Sequence, residues 1–140
     1  MSWLVDTDVF SQPAKRQNDP RVVAWLKREH SACYTSSIVI AQLAYWIRCQ
    51  TGRRRQALQE WLSDLIRSLE GRIYGFNVSV AYTWADLRHR LRGAGKPMPV
   101  EDSYIAATAL RHNLIIVTGN ERDFQRPGIK LFNPFRELTD

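Results

Sequence analysis

Trp3-Leu4-Val5-Asp6-Thr7-Asp8-Val9-Phe10 is the stretch that decides the fold. Its apolar residues predict a buried strand that starts almost at the N-terminus and ends at Asp6. A carboxylate at the end of a buried strand is costly unless a cation or hydrogen-bond donors meet it. Asp6 therefore indicates either a metal ligand or, more simply, a cap on the turn that follows.

The bulk composition indicates one soluble domain. A chain of 140 residues is long enough for a single core, so we expect one domain over residues 1–140. Hydrophobic residues make up 44% and charged residues 24%, which excludes a disordered chain. No apolar run reaches the roughly 18 to 20 residues of a membrane helix, and the N-terminus does not resemble a signal peptide. We expect a cytoplasmic protein with no membrane partner.

The net charge indicates a class of binding partner, and the cysteine spacing argues against a zinc site. The net charge of +6 favours a polyanionic partner without identifying one. Cys33 and Cys49 have apolar neighbours and lack the spacing of zinc ligands. We therefore expect both to be buried, reduced thiols.

Predicted strands alternate with predicted helices along the chain. This alternation is typical of an α/β domain whose central parallel sheet is flanked by helices on both faces. An apolar helix and the amphipathic helix after it, joined by the basic turn Gly52–Arg55, add a helical hairpin. The predicted strands after the first are 32–35, 72–76, 114–117 and 129–132, and the main predicted helices begin at Pro20, Ile38, Gln56, Val78 and Ser103.

Several polar side chains fall where an α/β sheet places its functional crevice, at the carboxyl ends of strands. Asp6 ends the first strand, Asn120 and Asp123 follow strand 114–117, Asp102 opens the helix before it, and Gln42 lies early in an apolar helix. These groups converge only if the two strands are neighbours. A site of carboxylate and amide oxygens suits Mg²⁺ or Mn²⁺, and such ions support hydrolysis of nucleic-acid phosphodiesters.

Four segments in this order resemble the successive motifs of PIN-domain proteins, in particular the VapC and FitB toxins of bacterial type II toxin-antitoxin systems. They are Leu4–Phe10 (LVDTDVF), Thr35–Leu43 (TSSIVIAQL), Asp102–Ala109 (DSYIAATA) and Val117–Phe124 (VTGNERDF). Arg21–Leu26 and Phe132–Phe135 also fit the FitB-like branch.

The resemblance implies a PIN-like fold and a Mg²⁺- or Mn²⁺-dependent endoribonuclease that hydrolyses RNA phosphodiester bonds. Such proteins are usually homodimers, held inactive by a cognate antitoxin whose tail fills the active-site groove. By position, Asp6 and Asp102 would be metal ligands and Thr118 a supporting hydroxyl. The loop acid of the site would fall at Asn120 or Asp123.

The chain departs from the family pattern at three positions. Gln42 stands where Glu is expected, Trp46 where glycine is common, and Asp8 where Asn is frequent. An amide at position 42 keeps the shape of Glu but removes a charge and cannot act as a base. Gln42 is either a substitution that silences a toxic nuclease or a natural weakening of a member of the family.

Two alternatives to an active ribonuclease follow from the residues. One is a catalytically silent PIN-domain dimer that binds an antitoxin or nucleic acid. The other, a nucleotide-binding α/β protein, is disfavoured because no glycine-rich phosphate loop follows the first strand. The basic runs Arg53–Arg55 and Arg88–Arg92 are most simply solvated helix faces, so no nucleic-acid contact is assigned to them.

Overall fold

A parallel β-sheet forms the centre of the molecule in the computed structural model, which describes residues 1–138. The strands are β1 (Trp3–Val5), β2 (Cys33–Ser36), β3 (Ile73–Tyr74), β4 (Ile115–Val117) and β5 (Leu131–Phe132). They are hydrogen-bonded in the order β3-β2-β1-β4-β5, and every pair is parallel. The α/β architecture with a parallel sheet is therefore confirmed.

Helices alternate with these strands along the chain. They are α1 (Thr7–Phe10), α2 (Pro20–Glu29), α3 (Ser37–Arg48), α4 (Gly52–Ser68), α5 (Val78–Gly93), α6 (Val100–His112), α7 (Glu121–Phe124) and α8 (Pro134–Glu137). Short 3-10 turns lie at Gln12–Ala14 and His30–Ala32. The longer helices α3 and α4 follow one another and pack together as the expected hairpin.

The first strand, β1, is the middle strand of the sheet. It pairs with β2 on one side, where Trp3 is opposite Cys33, and with β4 on the other, where Val5 is opposite Val117. Leu4 and Val5 are completely buried. The apolar run at the N-terminus is therefore explained by its position between two other strands.

Side chains that begin the helices are placed as the sequence predicts. The Asp19 carboxylate accepts a hydrogen bond of 3.0 Å from the backbone N–H of Arg21, with Pro20 as the first residue of α2. The Ser36 hydroxyl caps α3 by accepting from the backbone N–H of Val39. These caps satisfy backbone donors that a helix start leaves unpaired.

Two helices begin earlier than the sequence suggested. α4 starts at Gly52, so Arg53–Arg55 form its first turn instead of a separate basic turn. Arginine is a good helix former, and Arg54 also donates to the backbone oxygen of Ala14. α6 starts at Val100, which places Glu101 and Asp102 in its first turn, where acidic side chains suit the helix dipole.

The prediction for the cysteines is half wrong. Cys33 is completely buried in β2, and burial raises the pKa of its thiol to about 12. Cys49 is exposed, because it follows the last turn of α3, where the chain leaves the core. None of the helices in residues 1–138 combines the length and apolar character that crossing a bilayer requires.

Candidate active site

An open cleft lies at the carboxyl ends of β1 and β4. Because these strands are parallel neighbours, Asp6 after β1 and Thr118 after β4 emerge at the same edge of the sheet. The cleft has a volume of about 400 Å³. Its lining residues are Asp6, Thr7, Asp8, Ser11, Lys15, Gln42, Trp46, Asp102 and Asn120. Four residues that the sequence singled out for the site, Asp6, Gln42, Asp102 and Asn120, are thus brought together.

Asp6 is the most deeply placed acid of the cleft, with 6% of its surface exposed. One carboxylate oxygen accepts a hydrogen bond of 2.8 Å from the backbone N–H of Thr7, and the other accepts one of 2.8 Å from the Thr118 hydroxyl. Asp6 therefore caps α1 and lines the cleft at the same time. Burial, followed by repulsion from Asp8, raises the pKa of Asp6 to about 7.

Thr118 acts as a buried link between β1 and the loop after β4. Its hydroxyl donates to Asp6 and accepts a hydrogen bond of 3.0 Å from the backbone N–H of Asn120. This pair of bonds fixes the direction in which the hydroxyl proton points, toward the Asp6 carboxylate. Thr118 thus contacts both Asp6 and the loop that follows β4.

Asp8 is a further cleft acid, which the sequence analysis noted only as a departure from the family pattern. Its Oδ2 atom accepts a hydrogen bond of 2.8 Å from the backbone N–H of Gly119. A Cβ atom on Gly119 would lie 2.8 Å from the Phe135 ring and 2.9 Å from the same Asp8 oxygen. Only glycine permits this close approach. Burial raises the pKa of Asp8, while the Gly119 bond and the charge of Lys15 oppose that rise.

Asp102 approaches the cleft from the first turn of α6. Burial raises its pKa to about 6, and the charges of Asp123 and Glu101 add to the rise. Asp123 therefore lies near enough to act on Asp102. Asp123 is carried by the short helix α7, and it is not among the residues that line the cleft.

Gln42 is held at both ends of its amide. Its oxygen accepts a short hydrogen bond from the Thr7 hydroxyl, and its nitrogen donates one of 3.0 Å to Glu101. Glu101 is a contact that the sequence analysis missed. The only signal for it was a second acid beside Asp102, which the dipole of α6 explains equally well.

The donor set of the cleft fits a hard divalent cation. In residues 1–138 no three His, Cys, Asp or Glu side chains lie close enough together to hold a metal ion as a group. Mg²⁺ needs fewer protein ligands than that, because it keeps several waters and takes only one or two carboxylates. Asp6 and Asp102 provide two crowded carboxyl groups, and the described lining contains no His or Cys to favour zinc.

Comparison with known proteins places the chain in a family. A family model described as the PIN domain matches residues 3–130. Toxin FitB of Neisseria gonorrhoeae is 35% identical over 137 residues, covering 96% of this chain and 99% of FitB. VapC ribonuclease Y4jK of Sinorhizobium fredii is 30% identical over 135 residues, covering 94% and 96% of the two chains.

A solved structure extends the similarity to the whole fold. The structure of FitAB bound to an IR36 DNA fragment contains a chain that superposes with a TM-score of 0.90 at 31% identity, covering 98% of each chain. The sequence match and the superposition of the whole fold agree. The chain belongs to the PIN-domain family, in its VapC- and FitB-like branch.

Proposed function

We propose that this chain is the toxin of a type II toxin-antitoxin pair and a Mg²⁺- or Mn²⁺-dependent endoribonuclease. The observation that carries the proposal is the convergence of Asp6, Asp8 and Asp102 on one cleft, where burial raises the pKa of each carboxyl group. Repulsion from neighbouring acids adds to the rise at Asp6 and Asp102, and a bound cation would relieve it. The ribonuclease and toxin names of the relatives support the same conclusion.

Each cleft residue has a definable part in such a reaction. Asp6 and Asp102 would hold the ion, which would supply charge neutralisation and a polarised water at the scissile phosphate. Thr118 keeps the Asp6 carboxylate in one orientation through its 2.8 Å hydrogen bond. Lys15 is the cation among the described lining residues, and it would attract the RNA phosphate.

Asp123 and Asn120 have supporting parts in this proposal. Asp123 adds negative charge near Asp102 without reaching the cleft. Asn120 lines the cleft from the loop that Thr118 holds by its 3.0 Å hydrogen bond. We therefore assign ion binding to Asp6 and Asp102, and we assign tuning of the site to Asp123 and Asn120.

Position 42 decides how active the site is. The Gln42 amide bonds to Thr7 and Glu101, whereas a carboxylate there would face the cleft as a further acid. We expect Gln42→Glu to raise Mg²⁺- or Mn²⁺-dependent cleavage of single-stranded RNA by about tenfold or more, because it adds a charged ligand. The control is the double variant with Asp6→Asn, which should cleave no RNA. Equal rates for Gln42→Glu and the parent chain would contradict this assignment.

A catalytically silent PIN-domain dimer is the second candidate. The observation that favours it is that both the oxygen and the nitrogen of the Gln42 amide already bond to neighbouring side chains. Expression of the unaltered chain in bacteria distinguishes the two candidates. Growth arrest that Asp6→Asn abolishes would exclude the silent protein, and absence of arrest even for Gln42→Glu would exclude the ribonuclease.

We propose two partners besides RNA, a cognate antitoxin and a second copy of the chain. The FitAB–DNA structure supports the first, since its FitB-like chain has a partner protein. Exposed apolar side chains support the second. Val78 and Tyr82, one turn apart on α5, are 74% and 72% exposed, and Phe76 beside them is 39% exposed. Patches of this kind often mark protein interfaces.

A further inference from the structure

A second cleft of about 490 Å³ lies between α5 and the segment that leads into α6. Three basic side chains, Arg88, His89 and Arg92, line it together with Trp84. Leu91 and Met98 give it a buried apolar floor. No acidic residue is found among its described lining residues, so all of its ionisable side chains are basic.

The Arg88 guanidinium is held in this cleft, and one of its N–H groups has no hydrogen-bond acceptor in the described part of the chain. Its guanidinium carbon lies 5.3 Å from the centre of the Trp84 ring, which fixes the group by a cation–π contact. Its Nη1 atom is buried and has no hydrogen-bond partner within residues 1–138. Burying a charged N–H group without an acceptor is costly, so this atom indicates a ligand that brings an acceptor.

Neighbouring arginines differ from Arg88 in this respect. Arg90 donates to the backbone oxygen of Pro127 at 2.7 Å, and Arg126 donates to the backbone oxygens of Lys96 and Pro97 at 3.1 and 2.8 Å. These two guanidinium groups are therefore used in hydrogen bonds between distant segments of the chain. Arg88 and the exposed Arg92 instead face the cleft, where they remain available to an anion.

Hydrogen bonds link the walls of the basic cleft to the start of α6, which carries Asp102 of the acidic cleft. The Trp84 indole N–H donates to the Ser103 hydroxyl at 2.8 Å, and Ser103 directly follows Asp102 in α6. Pro97, in the wall of the basic cleft, is bonded to Arg126, whose charge acts on Asp102. The two clefts therefore flank the same first turn of α6.

We propose that Arg88 and Arg92 form a phosphate-binding subsite for single-stranded RNA, beside the cleft of Asp6 and Asp102. The subsite takes a backbone phosphate of the strand whose scissile bond lies in the acidic cleft. This inference rests on the proposed ribonuclease function. Guanidinium groups match phosphate oxygens with paired hydrogen bonds, and the buried Nη1 atom of Arg88 gains its missing acceptor.

The test measures RNA binding without catalysis. A fluorescein-labelled single-stranded RNA is titrated with the full chain in EDTA, and fluorescence anisotropy gives the affinity at several salt concentrations. The variants are Arg88→Met, which keeps the aliphatic stem over Trp84, and Arg92→Gln, which changes an exposed side chain. The matched controls are Arg53→Gln and Arg55→Gln, exposed residues of α4 with the same loss of charge.

We expect each subsite variant to lower the RNA affinity about tenfold and to reduce the salt slope by about 0.7 for each lost phosphate contact. The controls should stay within about twofold of the parent chain. Affinity and slope unchanged in both subsite variants, or an equal loss in the controls, would overturn the subsite.

Measurements of RNA cleavage distinguish a failure of the subsite from a failure of the proposed ribonuclease function. In the Gln42→Glu background, Arg92→Gln should raise KM about tenfold with little change in kcat, because the contact binds substrate and transition state equally. A loss confined to kcat would overturn the subsite. If Gln42→Glu cleaves no RNA but Arg88→Met still weakens RNA binding, the proposed function fails and the subsite stands.

Discussion

The acids of the cleft are the residues on which the account depends. Asp6 is almost fully buried, and its pKa of about 7 means that it is only partly ionised at neutral pH. Asp102, with a pKa of about 6, is mostly ionised at neutral pH but keeps its proton to a higher pH than an ordinary Asp. Structural carboxylates usually have lowered pKa values because they are paired with cations, so these raised values favour a functional role.

The raised pKa values predict how stability depends on pH. An acid whose pKa is higher in the folded than in the unfolded state binds more protons when folded, so its ionisation opposes folding. We expect the free energy of unfolding of the metal-free chain to fall as the pH rises from about 4 to about 7, the window between the ordinary and raised pKa of Asp6. Chemical denaturation at several pH values measures this.

The variant Asp6→Asn tests whether the Asp6 carboxyl group causes this pH dependence. It removes the ionisation, so it should flatten the pH dependence and also abolish stabilisation by added Mn²⁺, which in the parent chain should be larger at pH 7.5 than at pH 5. A variant that still gains stability from Mn²⁺ to the parent's extent would show that the ion binds elsewhere.

Thr118 tests whether the orientation of Asp6 matters. Thr118→Val keeps the shape but removes the donor to Asp6 and the acceptor for Asn120. We expect Mn²⁺ affinity, measured by calorimetry, to fall about tenfold, as is usual when a group that orients a metal ligand is lost. The control is Thr108→Val, another buried threonine, whose hydroxyl bonds only within α6 to Tyr104. Equal losses in both variants would argue against a specific part for Thr118.

Sequence patterns predicted the main cleft residues but not their pairings. Asp6 and Asp102 were predictable because a strand end and a helix start place them by simple rules. The bond from Gln42 to Glu101 joins residues that are far apart in the chain, so no local pattern contains it. Asp123 was expected in the site; it lies on α7, near enough for its charge to act on Asp102, and it is not among the lining residues of the cleft.

At the scale of elements, the loop after β4 and helix α8 form one packed unit with the cleft. Gly119→Ala would place a Cβ atom 2.8 Å from Phe135 and 2.9 Å from Asp8. We expect a loss of roughly 1–3 kcal/mol in stability from this overpacking, measured by denaturant unfolding. Gly75→Ala is the control, since nothing lies within 4 Å of its added Cβ atom.

A second variant identifies the source of that strain. Phe135→Leu in the Gly119→Ala chain shortens the side chain nearest the added Cβ atom, so part of the lost stability should return. No recovery, with Gly75→Ala equally destabilised, would mean that the close packing of α8 on the loop is unimportant.

Element boundaries were predicted where a side chain caps a helix and missed where none does. Asp19 and Ser36 accept backbone bonds, and α2 and α3 begin where expected to within a residue. α4 and α6 have no side-chain hydrogen bond at their N-caps, Thr51 and Pro99. Because neither helix has a side-chain cap, the sequence analysis located them by their apolar periodicity alone. The periodic apolar residues begin about one turn after the true start of each helix.

For the whole molecule, the order of the strands could not be read from the sequence. The hydrophobic pattern shows that β4 is buried, but it does not show that β4 lies beside β1. That neighbour relation brings Asp6 to Thr118 and creates the site. It comes from the packing of the complete chain, which no local pattern encodes.

Self-association is a prediction for the whole molecule. If α5 carries the dimer contact, Tyr82→Lys should convert a dimer into a monomer, because a charge would be buried against a second copy. Light scattering during size-exclusion chromatography measures the mass directly. The control is Ala57→Lys on the exposed face of α4. A parent chain that is monomeric at all concentrations would contradict the prediction.

Anomalous scattering from Mn²⁺ in crystals of the protein tests the central claim most directly. The account predicts one strong peak in the cleft, at about 2.0–2.4 Å from carboxylate oxygens of both Asp6 and Asp102, and no such peak in Asp6→Asn crystals. Ordered density for both side chains without a peak between them, at saturating Mn²⁺ and neutral pH, would contradict it.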